Sequence, residues 1–259
     1  MFSTRIPRRR IVAMLSIAAL ASAPAAMAQE GLPSAKDVYA RYIEALGGEA
    51  ALTQHTSSHI TGSFSAPAQG IDGTLEIFSS APMLLRVNIG IPGIGTVETG
   101  SDGTTFWTIN PAVGPMIMEG TMLEQARQQA DFYGQLHPER YVASSETVER
   151  TDFEGKPCYK LRVVTKWDEE YFELYDEATG LLAGTIRTQE TPMGGVEAVT
   201  VYGDYRDFDG VTLPTQMIQR VMGMEQVMTT DSVEWDTVDP AVFALPDQIK
   251  ALLEAQKPQ

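Results

Sequence analysis

The sequence predicts a mainly β fold: one curved antiparallel sheet, covered on one side by helices. Three observations predict it. From Ser58 to Trp235, apolar residues recur on alternate positions in short runs bounded by Gly, Pro, Asn, Asp and Ser. These runs follow one another with a single helical interruption, so they form a meander, and a meander is antiparallel. Helical spacing is otherwise confined to the two flanks of the strand region.

Residues 1–28 read as an export signal and stand outside the fold. Arg5, Arg8, Arg9 and Arg10 precede the apolar run Ile11–Ala23 and the small-x-small site Ala26-Met27-Ala28. The expected domain is then 29–259, with cleavage after Ala28. The full sequence has 19 Lys and Arg against 34 Asp and Glu. Without the four leader arginines the balance is 15 against 34, a net charge of −19. A chain this acidic is repelled by phosphate backbones and anionic head groups, which excludes nucleic acid as a partner.

Leu32–Gly48 is the first expected helix. Ser34 and Asp37 have capping-box spacing, Val38, Tyr42 and Leu46 repeat at helical intervals, and Gly47-Gly48 supplies the stop. Glu49–Gln54 adds a short turn. Strands are expected from Ser58, at Gly73–Ser79, Met83–Gly90, Gly95–Ser101 and Thr104–Ile109, with a short apolar piece at Pro115–Gly120. Met83, Leu85, Val87 and Ile89 share one strand face and Leu84, Arg86 and Asn88 the other, as in a wall with two unlike sides.

Thr121 and Glu124 repeat the capping-box spacing and predict a helix over Thr121–Leu136. Its apolar side (Met122, Leu123, Ala126, Ala130, Tyr133, Leu136) has to rest on the sheet. Hairpins are then expected to turn at Glu154-Gly155, Ala178–Gly180, Phe208–Gly210 and Met222-Gly223. Asp239–Pro246 is expected to close the sheet and Asp247–Ala255 to form a last short helix.

The sequence offers little reaction chemistry. His55 and His59 are spaced four apart, but a helix-to-strand transition falls between them and no third metal ligand is evident. Asp204, Asp207 and Asp209 before Gly210 lack the spacing of a calcium loop and read as a turn. Asp168, Glu169 and Glu170 read as a solvated acidic turn. A hydrolase would need Glu98, Asp168 or Glu173 to face a pocket. The lone Cys158 reads as a buried, inert thiol. No catalytic residue, metal ligand or cofactor is therefore expected. Met83, Met116, Met118, Met122, Met217, Met222, Met224 and Met228 remain, a group suited either to a soft core or to a cavity for a flexible apolar ligand.

Four segments carry a family resemblance. They are Gly73-Thr74-Leu75 with Ala81-Pro82 and Leu85; Ser101-Asp102-Gly103 with Trp107, Asn110 and Pro111; Asp207–Pro214; and Asp239–Phe243 with Pro246. With these the chain resembles the outer-membrane lipoprotein-sorting proteins, the LolA/LolB-like carriers of the periplasm. The resemblance implies an incomplete antiparallel barrel with a helical lid. It also implies periplasmic location in a Gram-negative-type envelope, and lipid or lipoprotein acyl chains as ligand. An inner- or outer-membrane protein would be a further partner. Ala81 stands where the lipoprotein carrier has the Arg that holds its lid. The cavity lining expected on this basis is Leu75, Ile77, Met83, Leu85, Val87, Ile89, Trp107, Met116, Met118, Met122, Tyr133, Met217 and Met228. A sensor or scaffold module that binds another protein is the alternative reading, with a hydrolase behind it.

Overall fold

The computed structural model describes residues 31–191 and 194–256, so the export signal expected at 1–28 lies outside the described residues. Helices α1 (Ala35–Ala45) and α2 (Gly48–Thr53) precede six strands: β1 (Ser57–Ala66), β2 (Ile71–Ser80), β3 (Leu84–Ile91), β4 (Gly95–Asp102), β5 (Phe106–Asn110) and β6 (Gly114–Ile117). Helix α3 (Gly120–Ala130) leads to seven more: β7 (Val142–Phe153), β8 (Lys156–Thr165), β9 (Glu170–Asp176), β10 (Leu182–Thr191), β11 (Gly194–Phe208), β12 (Val211–Val221) and β13 (Met224–Trp235). Helix α4 (Asp247–Ala255) follows.

The thirteen strands form one sheet in the order β6-β5-β4-β3-β2-β1-β13-β12-β11-β10-β9-β8-β7. Its two edges, β6 and β7, are consecutive in sequence and are joined by the α3 segment. The barrel is thus incomplete, and α3 belongs to the crossing between its free edges. Local chemistry accounts for the hairpins. Glu154-Gly155, Asp209-Gly210 and Met222-Gly223 all have positive φ at both positions. That is the two-residue turn whose twist matches the flanking strands. Helix α1 begins with the expected capping box, Ser34 Oγ accepting from the Asp37 N–H and Asp37 from the Ser34 N–H. It stops at Gly47, whose φ of 115° excludes other residues cheaply.

Helix α3 and the segment after β13 differ from the sequence expectation. Thr121 does not cap α3: the helix starts one residue earlier, Glu119 occupies the cap without a side-chain bond, and Glu124 pairs with Arg127 at 2.9 Å instead. The helix also ends at Ala130, well before Leu136. There the Phe132 N–H donates to the Pro82 carbonyl and the Tyr133 N–H to the Asp131 carboxylate, so neither continues the helical ladder. Asp239–Pro246 does not add a strand. Asp239 caps a 3-10 turn over Pro240–Phe243, which packs against β3 and β4.

The seam between the two halves is the pairing of β1 with β13. Asp236, directly after β13, clamps it. Its carboxylate accepts from the Thr56 N–H at 2.8 Å, the Ser57 N–H at 3.2 Å, the Thr56 hydroxyl at 3.0 Å and His55 Nδ1 at 2.9 Å. These bonds, the Thr56 N–H first, hold the carboxyl far below its ordinary range. Asp236→Asn should cost about 2 kcal/mol at neutral pH, a figure reduced because the side chain is 44% exposed. A depressed folded pKa gives stability that is complete above the unfolded carboxyl range and fades as pH falls through the folded value. Urea unfolding of wild type and variant should therefore differ at pH 7 and converge progressively below about pH 4. A constant difference down to pH 2.5 would contradict the clamp.

Candidate functional site

Register carries one sheet face without a break across the seam. Ile77 and Leu75 lie on it with Gly73, which pairs with Phe64; Phe64 pairs with Met228, and Met228 with Met217. Two residues from Met217, Gln219 pairs with Thr200; Thr200 pairs with Thr185 and Thr185 with Glu173. Leu85, Val87 and Ile89 join the same face through Ser79, Ile77 and Leu75. This inner face is the one the helices cover. Helix α1 buries Ala35 and Val38 against Leu161, Val163, Tyr171 and Tyr175 at the β8–β9 end. Helix α3 covers the β3–β5 end, where Leu123, Ala126 and Ala130 pack on Ile77, Met83, Leu85, Val87, Phe106 and Met118.

Between these two docked helices the inner face remains open, and its chemistry changes. A cavity of about 560 Å³ lies beneath the polar side of α3, lined by Gln125, Gln128 and Gln129 above and by Thr185, Arg187, Thr200 and Met217 below. A second, of about 350 Å³, adjoins it and is lined by Tyr39, Tyr42, Tyr171, Tyr175, Tyr202 and Glu173. Helix α3 thus covers Ile77, Met83, Leu85 and Val87, and the volume left open beyond it is lined mainly by polar and aromatic side chains, with Met217 among them. Periodicity shows which residues share a face but not which of them a distant helix will cover.

Of the expected lining residues, Leu75, Ile77, Leu85, Val87, Ile89, Met217 and Met228 share the inner face, and Met83 and Met118 join the α3 cluster. The others lie elsewhere. Met116 and Met122 are 41% and 46% exposed. Tyr133 follows α3 and donates its hydroxyl to the His55 carbonyl at 2.9 Å, which ties the segment to the start of β1. Trp107 is on the wrong face: its neighbour Phe106 points inward, so Trp107 points outward, where it is only 1% exposed. Arg86 stacks on its ring, 4.8 Å from the centroid, and forms an ion pair with Glu98. The Pro240–Phe243 turn and α4 return to β3, β4 and β6 at this end. A Cβ on Gly100 would meet the indole at 2.6 Å, so only glycine lets the ring lie across β4.

The acidic turn also departs from expectation. Asp168 is exposed with a φ of 63°, and Glu170 reaches Arg162. Glu169, in contrast, turns inward. It accepts from Arg187 at 2.8 Å, from Gln125 of α3 at 2.9 Å and from the Trp167 indole at 3.0 Å. The Gln125, Trp167 and Arg187 contacts lower its pKa despite the opposing effect of burial. This ties α3 to the far half of the sheet.

Of Glu98, Asp168 and Glu173, Glu173 is the one that lines a cavity described above. It accepts from Tyr39 and Tyr175 at 3.0 Å and from Tyr171 at 3.2 Å. It lies deep among packed atoms yet keeps surface toward the cavity. Burial pushes its carboxyl up, against the three hydroxyls and Arg187, which favour the charged form. The sequence signal for it is Tyr171-x-Glu173-x-Tyr175, a charge on the aromatic side of an alternating strand. The other sensitive groups serve the scaffold: His55 stacks on Trp235 at 4.4 Å and His59 on Phe78 at 4.2 Å. Burial raises the Cys158 thiol to about 11, and Asp207 accepts from the Gly210 N–H of its own turn.

No protein-family model and no curated protein sequence matches the chain. Solved structures do. A DUF1329 family protein from Desulfovibrio piger superposes with a TM-score of 0.56 at 13% identity, over 81% of this chain and 96% of that one. A LolA superfamily protein from Nitrosomonas europaea gives 0.55 at 13% identity, over 83% and 99%. A domain described as an outer membrane lipoprotein-sorting protein, from Vibrio parahaemolyticus, gives 0.50 at 13%, over 77% and 92%. The curved, unclosed antiparallel sheet with helices on its inner face is accordingly a LolA-like fold.

Proposed function

We propose that residues 29–259 form a periplasmic carrier, exported by the leader at 1–28, that holds acyl chains of a lipid or lipoprotein between the inner face and α3. The observation that carries this reading is the seat of α3 on Ile77, Met83, Leu85, Val87, Phe106 and Met118. The helix covers this apolar surface with only three residues, two of them alanines. Its other ties are polar: Gln125 to Glu169 at 2.9 Å, the Tyr141 hydroxyl to the Arg127 carbonyl at 3.3 Å and, just past its end, Asp131 to Arg140 at 2.8 Å and to Tyr141 at 2.9 Å. Where the lipoprotein carrier has its lid Arg, this chain has Ala81. The adjoining Pro82 carbonyl takes the Phe132 N–H at 3.1 Å, a main-chain tether at the same end of the lid.

Each acyl methylene buried on such a seat contributes about 0.8 kcal/mol. A chain of about ten methylenes therefore outweighs the roughly 2 kcal/mol of the one leucine it would displace. A donor or acceptor at the inner or outer membrane would load and unload it. Protein purified from its own periplasm should carry acyl lipid in native mass spectra, and added fatty acid should displace a fluorescent fatty-acid analogue. Lipid-free spectra from repeated preparations, together with no displacement, would exclude the carrier and favour a module that binds another protein.

A further inference from the structure

The second cavity contains features that acyl binding does not use. Its walls are aromatic rings set at steep angles to one another: Tyr39 and Tyr42 of α1 meet Tyr175 of β9 at 90° and 64°, with centroids 5.9 and 5.3 Å apart. Tyr171, Tyr202 and Glu173 share this wall, and Gln128, Gln129 and Asp131 line the opposite one. Three phenol hydroxyls bind its two oxygens, and a carboxylate has about four acceptor positions. No cation pairs with it among the described residues. Arg187 is the nearest candidate, but it is held by Glu169 at 2.8 Å and lies flat on Tyr171, 3.6 Å from the centroid. The other carboxylate of the lining, Asp131, is already paired with Arg140. A deep carboxylate without an ionic partner is costly, and rings around a negative charge favour a cation over their faces.

We infer that this tyrosine-walled cavity binds an organic ammonium group, with Glu173 as its counter-ion and the tyrosine rings as its walls. The inference is independent of the carrier reading, because the group could be borne by a free amine or by the head group of a zwitterionic lipid. The phosphate of such a head group would fall toward the neighbouring cavity, where Arg187 and the α3 glutamines line the wall.

Calorimetric titration of the whole domain with two matched pairs tests this. Choline is compared with 3,3-dimethyl-1-butanol, which has its shape without the charge. Dihexanoylphosphatidylcholine, below its micelle concentration, is compared with dihexanoylphosphatidylglycerol. The ammonium member should bind about tenfold more tightly in at least one pair. Preference in the first pair assigns the site to a free amine as well; preference in the second alone assigns it to a lipid head group. Glu173→Gln, with a circular dichroism spectrum unchanged from wild type, should abolish the preference. Equal binding within both pairs, or no binding in either, overturns the inference whatever the variant does. A preference that survives in folded Glu173→Gln overturns it too. Acyl binding is read separately by fatty-acid displacement, so either proposal can fail alone.

Discussion

Trp107→Ala should lower the unfolding free energy by about 3–5 kcal/mol, the range for removing a large buried aromatic and leaving its cavity. It should leave the affinity of the folded protein for a fatty-acid analogue unchanged. The two halves of this expectation have different sources. The stability loss follows from burial: the indole is 1% exposed, lies across Gly100, and carries Arg86 on its ring. The unchanged affinity follows from the face it occupies, opposite the α3 seat. Guanidinium unfolding with a binding titration at low denaturant measures both. A variant that binds poorly at full stability would place Trp107 in the cavity after all. Its indole N–H has no hydrogen-bond partner among the described residues, so packing, not polar contact, is what the substitution removes.

Ala130→Asp should release α3 from the sheet. Ala130 is 2% exposed and packs with Leu85, Phe106 and Met118. A carboxylate placed there has no cation and costs about 3 kcal/mol or more to keep docked. Roughly 3 kcal/mol corresponds to about a hundredfold in an equilibrium, so α3 amides should exchange about a hundredfold faster. The paired amides of β1 and β13 should keep their protection, since the Asp236 clamp and the seam are separate from α3. Steady-state binding of the fatty-acid analogue should rise as Ile77, Met83, Leu85 and Val87 become accessible. Protection lost across the whole sheet would make α3 a part of the core instead of a lid. Unchanged exchange in α3 would remove the lid and, with it, the basis of the carrier proposal.

The features legible in the sequence are those fixed by neighbours within a few residues. The Ser34–Asp37 capping box, the Gly47 stop and the turns at Glu154-Gly155, Asp209-Gly210 and Met222-Gly223 are set by local sterics and local hydrogen bonds. Period-two alternation gives the strands and the sharing of a face by Met83, Leu85, Val87 and Ile89, because side chains of a strand alternate by geometry. The same rule put Glu173 between Tyr171 and Tyr175.

What needed the tertiary structure is what depends on partners far away in sequence. The β1–β13 seam pairs Ser58 with Trp235, and no local pattern specifies that register. The outward face of Trp107 follows from which side α3 covers, and the early end of α3 from a carbonyl on Pro82. Glu169 turned inward because Arg187 and Gln125 were there to receive it, and Glu173 gained Tyr39 from a helix 134 residues earlier. Alternation determines that a wall has two sides. Only long-range packing decides which part of the inner side is filled by the chain's own helices and which part is left open, because that choice is the free energy of contacts between segments that meet only in the folded state.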